Sequence, residues 1–380
     1  MDFEWEAESL SLHSAAVEFG ASLNRGVLDD DRAGRFRADK WARLAEWGYF
    51  GLCVPEEFGG GDANLMTGLL VTEGLGEGCH DGGLLFSAAV QAWVVIPALL
   101  RHGNEEQKRR YLPELVRGSS IGALAITEPD TGSDAFAMRT RARAVDGGWS
   151  LAGRKAMITN GPEASLVVCF AATGSGGALG GISVLLVDPE ASGVERGPSM
   201  EKMGLRTSPL CDLVFDDAFV AEQEILGEVG GGLFVFNDVL EWERIWPSAL
   251  QIGAMQRDLD QARSYAKQRR AFGAPISSFQ SVANRIVDMN VRLEAARLLT
   301  YRAAWVKARG GRAGAESAMA KLYASEAAVS SSLDLVQVHG GYGYMTEAGI
   351  ERRVRDAVGS RIYSGTSEMQ RAALGRALGL

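Results

Sequence analysis

Cysteine and histidine are scarce in this chain: its 380 residues contain four of each. Cys53, Cys79, Cys169 and Cys211 stand singly, with no CxxC pair and no Cys/His cluster. That spacing argues against a zinc site or a redox dithiol, so no metal is expected. Single thiols of this kind read as reduced and buried, in a cytoplasmic protein. Basic blocks are missing as well. The formal net charge is -9, which leaves no electrostatic footprint for nucleic acid. The opening MDFEWEAES lacks the basic and apolar regions of a secretory signal. The strongest apolar run, Ser87 to Leu100, is broken by Gln91 and Pro97. It falls short of the roughly 20 residues a membrane span needs and reads as a buried helix. No internal repeat is present, and no GxGxxG follows a strand, which disfavours a Rossmann dinucleotide site.

What is present is ordinary for a soluble chain of two or three domains: 46% hydrophobic and 23% charged residues. The first third reads helical. Residues 4–24 lack punctuation, and Phe36, Trp41, Leu44 and Trp47 fall at helical spacing within 33–48. A loop at Pro55 and Gly59-Gly60-Gly61 separates these from helices over 64–77, 82–101 and 105–116. The middle changes period. Thr140–Val145 and Trp149–Lys155 alternate around Asp146-Gly147-Gly148, a hairpin pattern. Residues 166–172, 182–187 and 213–219 are β-rich. Long amphipathic patterns then return over 233–268, 277–309, 314–339 and 367–378. The fold class expected is α+β: an α-helical domain over 1–120, a β domain over 121–225 and a four-helix bundle over 226–380.

Five segments carry polar chemistry. Ile126-Thr127-Glu128-Pro129-Asp130-Thr131-Gly132-Ser133-Asp134 is a turn rich in hydroxyls and free backbone N–H groups, suited to a flat polar heterocycle. Lys155–Gly161 closes the hairpin. Arg269-Arg270-Ala271-Phe272-Gly273-Ala274-Pro275, with Phe279-Gln280, interrupts two helices, and arginine there suits a pyrophosphate. Val338-His339-Gly340-Gly341-Tyr342-Gly343 and Ile362-Tyr363-Ser364-Gly365-Thr366-Ser367-Glu368 complete the set. Taken singly, the first also reads as a surface turn and the third as arginine at a helix C-terminus.

Taken in order, the segments resemble the acyl-CoA dehydrogenase family over nearly the whole chain. TEPDTGSD matches that family's TEPxxGSD, RRAFGAPISSFQ its RxxFGxxxxxFQ, QVHGGYGY its QxxGGxG(F/Y), and IYSGTSEMQR its IYxGTSxxxR. PEEFGG at 55–60 matches its PxxxGG loop. The resemblance implies FAD between the β domain and the C-terminal bundle. Leu124, Ile126, Thr127, Gly132 and Ser133 would line the flavin, with Met157 and Thr159 on its other side. Met157 stands where the family often has Trp, and a thioether also packs on a ring. Arg269, Phe272, Gln280, Gln337 and Gly341 would hold pyrophosphate and adenosine, partly across a subunit contact of a homo-oligomer, a tetramer. Thr366 and Glu368 would complete the site.

The family removes a proton beside a thioester carbonyl and passes a hydride to flavin N5. That needs a desolvated carboxylate and hydrogen bonds to the thioester oxygen. The common position of the base, in the IYxGT motif, is Ser364 here. An isovaleryl- and long-chain-like branch carries the base on the first bundle helix, directly before an arginine. The matching pair is Glu243-Arg244, within Leu240-Glu241-Trp242-Glu243-Arg244. Glu243 is therefore the expected base, although a solvated helix acid is the plainer reading of the residue alone. Ser133, Arg244, Ser364 and Gly365 are expected at the substrate, with the backbone N–H of Ser364 or Gly365 on the thioester oxygen. Glu241 and Arg244, three apart, could pair on one helix face. His339 reads as structural.

The expected reaction is α,β-dehydrogenation of an acyl thioester on CoA or on a carrier protein. Trp242-Glu243 with the SGT variant resembles carrier-protein-linked dehydrogenases of secondary metabolism. Electrons would leave to an electron-transfer flavoprotein or to oxygen. A flavin oxidase or monooxygenase on the same fold, and a flavin-binding protein without turnover, remain open alternatives.

Overall fold

The computed structural model describes residues 4–174 and 180–380. Seven helices come first: α1 (Ala7–Ser22), α2 (Val27–Ala33), α3 (Ala38–Glu46), α4 (Leu65–Gly78), α5 (Gly82–Val90), α6 (Ile96–His102) and α7 (Glu105–Val116). Asn64 caps α4, and Asn104 with Gln107 forms a capping box on α7. α2 is a separate helix, because Gly34 in the left-handed region ends it before α3 begins. α5 runs through one π-turn into α6, giving a helix over Gly82–His102 long and apolar enough to cross a membrane. Of its most apolar window 78% is buried in the protein, the signature of a core helix.

The β layer holds seven strands: β1 (Gly122–Ala125), β2 (Arg141–Val145), β3 (Gly148–Thr159), β4 (Leu166–Ala172), β5 (Ile182–Val187), β6 (Val194–Arg196) and β7 (Leu210–Ala221). They lie in the order β1-β4-β2-β3-β7-β6, with β5 on β4. β1 is parallel to β4, whereas β2–β3 is the antiparallel hairpin expected from Asp146-Gly147. Strand periodicity decides where the cores sit. Leu166, Val168 and Phe170 of β4 face the helices, while Val167, Cys169 and Ala171 face a second core within the β layer.

The C-terminal part is α8 (Gly232–Gln268), the short β8 (Arg270–Ala271) and β9 (Ala274–Pro275), α9 (Gln280–Ala308), α10 (Gly314–His339), the single turn α11 (Gly341–Tyr344), α12 (Glu351–Gly359) and α13 (Ser367–Ala377). α8, α9, α10 and α13 pack together as the bundle. α12 was not legible because its nine residues are dominated by charge, and Arg352, Arg353 and Asp356 are buried against other elements. α8 also crosses α4, where Gly76 and Gly253 let the two backbones meet.

Candidate active site

α8 is fixed in rotation by its first turns. Asp238 accepts from Arg101 at 2.9 Å and Lys307 at 2.8 Å, and sits 3.3 Å from His102. Glu241 accepts from Lys307 at 2.6 Å. Glu241 therefore pairs with α9, and the ion pair with Arg244 expected from helix spacing does not form. The reason is reach: the long Lys307 side chain arrives from the neighbouring helix and holds both acids. Trp242 lies beneath Arg101 and Lys307, 4.8 and 5.8 Å from ring centroid to cation.

With that face committed, Glu243 and Arg244 point elsewhere. Glu243 is partly buried and has no hydrogen bond or ion pair among the described residues. Burial raises its pKa from 4.5 to about 7, and Arg244 beside it only partly opposes the shift. Burial also lowers the Arg244 pKa, against Glu243 and Glu241, and its Nε has no partner. Pro247, four residues on, lacks the amide hydrogen that would bond the Glu243 carbonyl.

The turn between α12 and α13 approaches the same region. Ser364 and Gly365 both adopt the left-handed conformation, with φ of 56° and 85°. Their carbonyls are pinned from behind. Gln370 Nε2 donates to Ser364 O at 3.1 Å and Gly365 O at 2.8 Å, and Lys321 Nζ donates to Gly365 O at 2.6 Å. Lys321 is buried, and burial together with Arg244 brings its pKa down to about 8. Lys321 thus neighbours both Arg244 and the Ser364-Gly365 turn. Sequence reasoning missed it. Its signal was one lysine on the otherwise Ala/Ser-rich face of α10. Thr366 caps α13, accepting from Met369 N at 3.3 Å, and Glu368 lies exposed in the first turn.

On the β layer, Lys155 is the organiser that the sequence reading left without a role. It is fully buried and donates to Ile126 O at 2.9 Å and Glu128 Oε1 at 2.8 Å. Burial alone would raise the Glu128 pKa; Lys155 and the N–H groups of Arg139 and Thr140 outweigh it and lower it. Ala156 N donates to Thr127 O at 2.8 Å, so Ile126–Glu128 runs beside β3. A register shift between Lys155 and Ile158 then turns Met157 outward. Met157 sits at φ 56°, is 56% exposed, and its N–H is held by Asp212 at 2.9 Å. Gly132 and Ser133 are exposed, and a Cβ on Gly132 would meet nothing within 4 Å. An exposed thioether held at a strained backbone angle, next to Ala156, which bonds Thr127, fits the face of a planar ring system. Leu124 lies on β1 and Thr159 ends β3.

The remaining residues lie apart within one chain. Arg269 follows α8, Phe272 tops the β8–β9 turn and Gln280 opens α9. Gln337 lies in the last turn of α10 and Gly341 opens α11. Glu243 and Arg269 are separated by about 39 Å of helix at 1.5 Å per residue. Phe272 is 98% exposed. His339 is buried, bonds Leu335 O at 2.8 Å and stacks on Tyr265, a structural role.

Three family models cover the chain: the N-terminal domain of acyl-CoA dehydrogenase over residues 8–119, the middle domain over 123–218 and the C-terminal domain over 230–379. The chain belongs to the acyl-CoA dehydrogenase family. An L-prolyl-[peptidyl-carrier protein] dehydrogenase of Serratia sp. is 37% identical over 385 residues, spanning 100% of this chain and 99% of the relative. The solved structure of the prolyl acyl carrier protein oxidase AnaB has a TM-score of 0.97 at 37% identity, over 99% of this chain and 100% of its own. PigA with FAD and proline has a TM-score of 0.97 at 36% identity, over 100% of both chains. Across the family's three domains, Glu243 and Ser364 lie in the C-terminal domain, and Met157 and Ser133 lie in the middle domain.

Proposed function

We propose that this chain is an FAD-dependent dehydrogenase that oxidises the α,β-bond of an acyl thioester, with Glu243 as the base. One observation carries the proposal: a partly buried carboxyl, free of partners and raised to about 7, next to Arg244, whose charge reaches the Lys321 that holds the turn where Ser364 replaces the family carboxylate. A carboxyl with that pKa is a competent proton acceptor near neutrality. The backbone N–H of Ser364 or Gly365 holds the thioester oxygen, and the Ser364 carbonyl, held by Gln370, lies in the same peptide plane as the Gly365 N–H and fixes its aim. Arg244 sits at the substrate beside Glu243, and Ser133 closes the β-layer side.

A bound FAD would supply the hydride acceptor. Leu124, Ile126, Thr127, Gly132, Ser133, Met157 and Thr159 would face its ring, and Thr366 with Glu368 would complete that half. Arg269, Phe272, Gln280, Gln337 and Gly341 would hold the pyrophosphate and adenosine of FAD, partly across a contact with a second copy. Phe272, Tyr342, Tyr344 and Ile362 are exposed apolar residues on or near those segments, which supports a homo-oligomer, read as a tetramer.

The likeness to prolyl-carrier dehydrogenases favours an acyl group on a carrier protein over one on CoA. Electrons leave to an electron-transfer flavoprotein or to oxygen, in a cytoplasmic enzyme whose four thiols stay free. The test is bleaching of the bound flavin, without oxygen, by acyl and prolyl thioesters on CoA and on a carrier protein. Bleaching by wild type and its loss in Glu243→Gln are expected. Equal bleaching by both removes Glu243 from the mechanism, and no bleaching by any thioester overturns the reading.

A further inference from the structure

Both elements that bear the thioester-handling residues run directly into one aromatic cluster. On α8, Glu243, Leu250 and Ala254 share a stripe, with Trp246 at its edge one turn from the carboxyl. On the other element, Tyr363 precedes Ser364. Phe86 of α5 joins them: its ring centroid is 4.6 Å from that of Tyr363 and 5.4 Å from that of Trp246. Gln251 Nε2 donates to the Tyr363 hydroxyl at 3.3 Å and locks that ring in place. Trp246 is 1% exposed and backs the cluster, whereas Phe86 and Tyr363 keep part of their surface open.

The rings of Phe86 and Tyr363 line a small pocket of about 30 Å³ together with Leu85, Leu250, Gln251 and Ala254. It cannot deepen. Arg257, Arg353 and Asp356 line it too, and Gly76, where α4 meets the Leu250 backbone, closes it with main chain. A space of that size takes one or two small atoms' worth of volume, far less than an alkyl chain.

We propose that Phe86, backed by Trp246 and locked to Tyr363, is the specificity-determining wall that limits the acyl group to a short or ring-sized one. This inference rests on the dehydrogenase reading. The substrate carbon next to the carbonyl must lie against Glu243. The acyl substituent beyond it runs along the Glu243–Leu250–Ala254 stripe and meets the rings. A butyryl or prolyl group ends there, whereas an octanoyl chain would need the volume that Phe86 fills. Replacing Phe86 by alanine joins the freed ring volume to the pocket it lines and opens a longer slot.

The test uses the flavin-loaded enzyme and three S-acyl-pantetheines, butyryl, prolyl and octanoyl, which share the arm common to CoA and carrier proteins. The rate of anaerobic flavin reduction is read for each. Wild type is expected to reduce with butyryl or prolyl at least about tenfold faster than with octanoyl, and Phe86→Ala to raise the octanoyl-to-butyryl ratio by about tenfold or more. Equal rates with octanoyl and butyryl in wild type overturn the wall. So does a flavin-loaded Phe86→Ala with an unchanged ratio. If that variant loses its flavin, Phe86→Leu and the wild-type series decide the matter. No reduction by any of the three overturns the dehydrogenase reading instead, which separates the two failures.

Discussion

Replacing Glu243 by glutamine keeps the shape of the side chain and removes its basicity. Two quantities follow from the pKa of about 7. The first is kinetic. Only the carboxylate accepts a proton, so the rate of flavin reduction by thioester should rise with pH and level off above neutrality. At pH 6 about one molecule in ten carries the ionised form, which makes the rate about tenfold below its plateau. Glu243→Gln should lie about 10²- to 10⁴-fold below wild type, with no such rise. The second is thermodynamic. The folded pKa is raised above the ordinary value, so the protonated carboxyl favours the fold. That contribution is complete below about 4.5 and is lost as pH rises through 7. The rise from 4.5 to about 7 corresponds to an upper bound of about 3 kcal/mol. Glutamine has no charge to bury. Its melting temperature should match wild type near pH 4.5 and exceed it above pH 7. Stopped-flow flavin absorbance and thermal melting across pH measure both. A reduction rate flat in pH, or melting curves that shift together across the range, would refute the claim that Glu243 is a desolvated base.

Lys155→Met should destabilise the β layer by about 3–5 kcal/mol, because it strands the buried Glu128 carboxylate; thermal melting reads the loss. Flavin release should accompany it, since Lys155 also holds Ile126 O. Lys321→Met removes the donor to Gly365 O and should lower the maximal rate of flavin reduction by about tenfold while half-saturation by thioester changes little, as expected for an interaction tightened in the transition state. The double variant Glu243→Gln/Ser364→Glu should recover part of the activity lost in Glu243→Gln, read as anaerobic flavin bleaching. Ser364 already sits at φ 56°, so glutamate there adds no new backbone strain.

The order of helices, strands and helices was legible because the period of the apolar pattern changes twice, near residues 121 and 230. The boundaries of α8 and α10 were legible for the same reason, since long patterns average out local ambiguity. α2 and α12 were not. Each is shorter than ten residues, and α12 buries charged residues against partners that only tertiary structure supplies. Glu243 was legible as a candidate through its neighbour Arg244 and through Ser364. Its environment was not, because desolvation depends on what packs around α8 rather than on α8 itself. The pairing of Glu241 failed for the same reason: helix spacing proposes Arg244, and Lys307 of α9 prevails.

The Ser364-Gly365 turn makes the sharper case. A serine in the left-handed region costs about 1 kcal/mol relative to ordinary backbone, and here it bears no carboxylate that could justify the strain. The surroundings nevertheless enforce it. Gln370 and Lys321 spend three hydrogen bonds on two carbonyls, and Lys321 is buried beside Arg244 to do so. Such an arrangement serves the main chain, since holding the Ser364 carbonyl fixes the Gly365 N–H of the same peptide plane and holding the Gly365 carbonyl fixes the Thr366 N–H. The turn's backbone and the α8 carboxyl are therefore separable parts. One can lose its acid side chain to serine while its N–H groups keep their aim, provided another helix brings a desolvated carboxyl to the same place, which is the part proposed for Glu243.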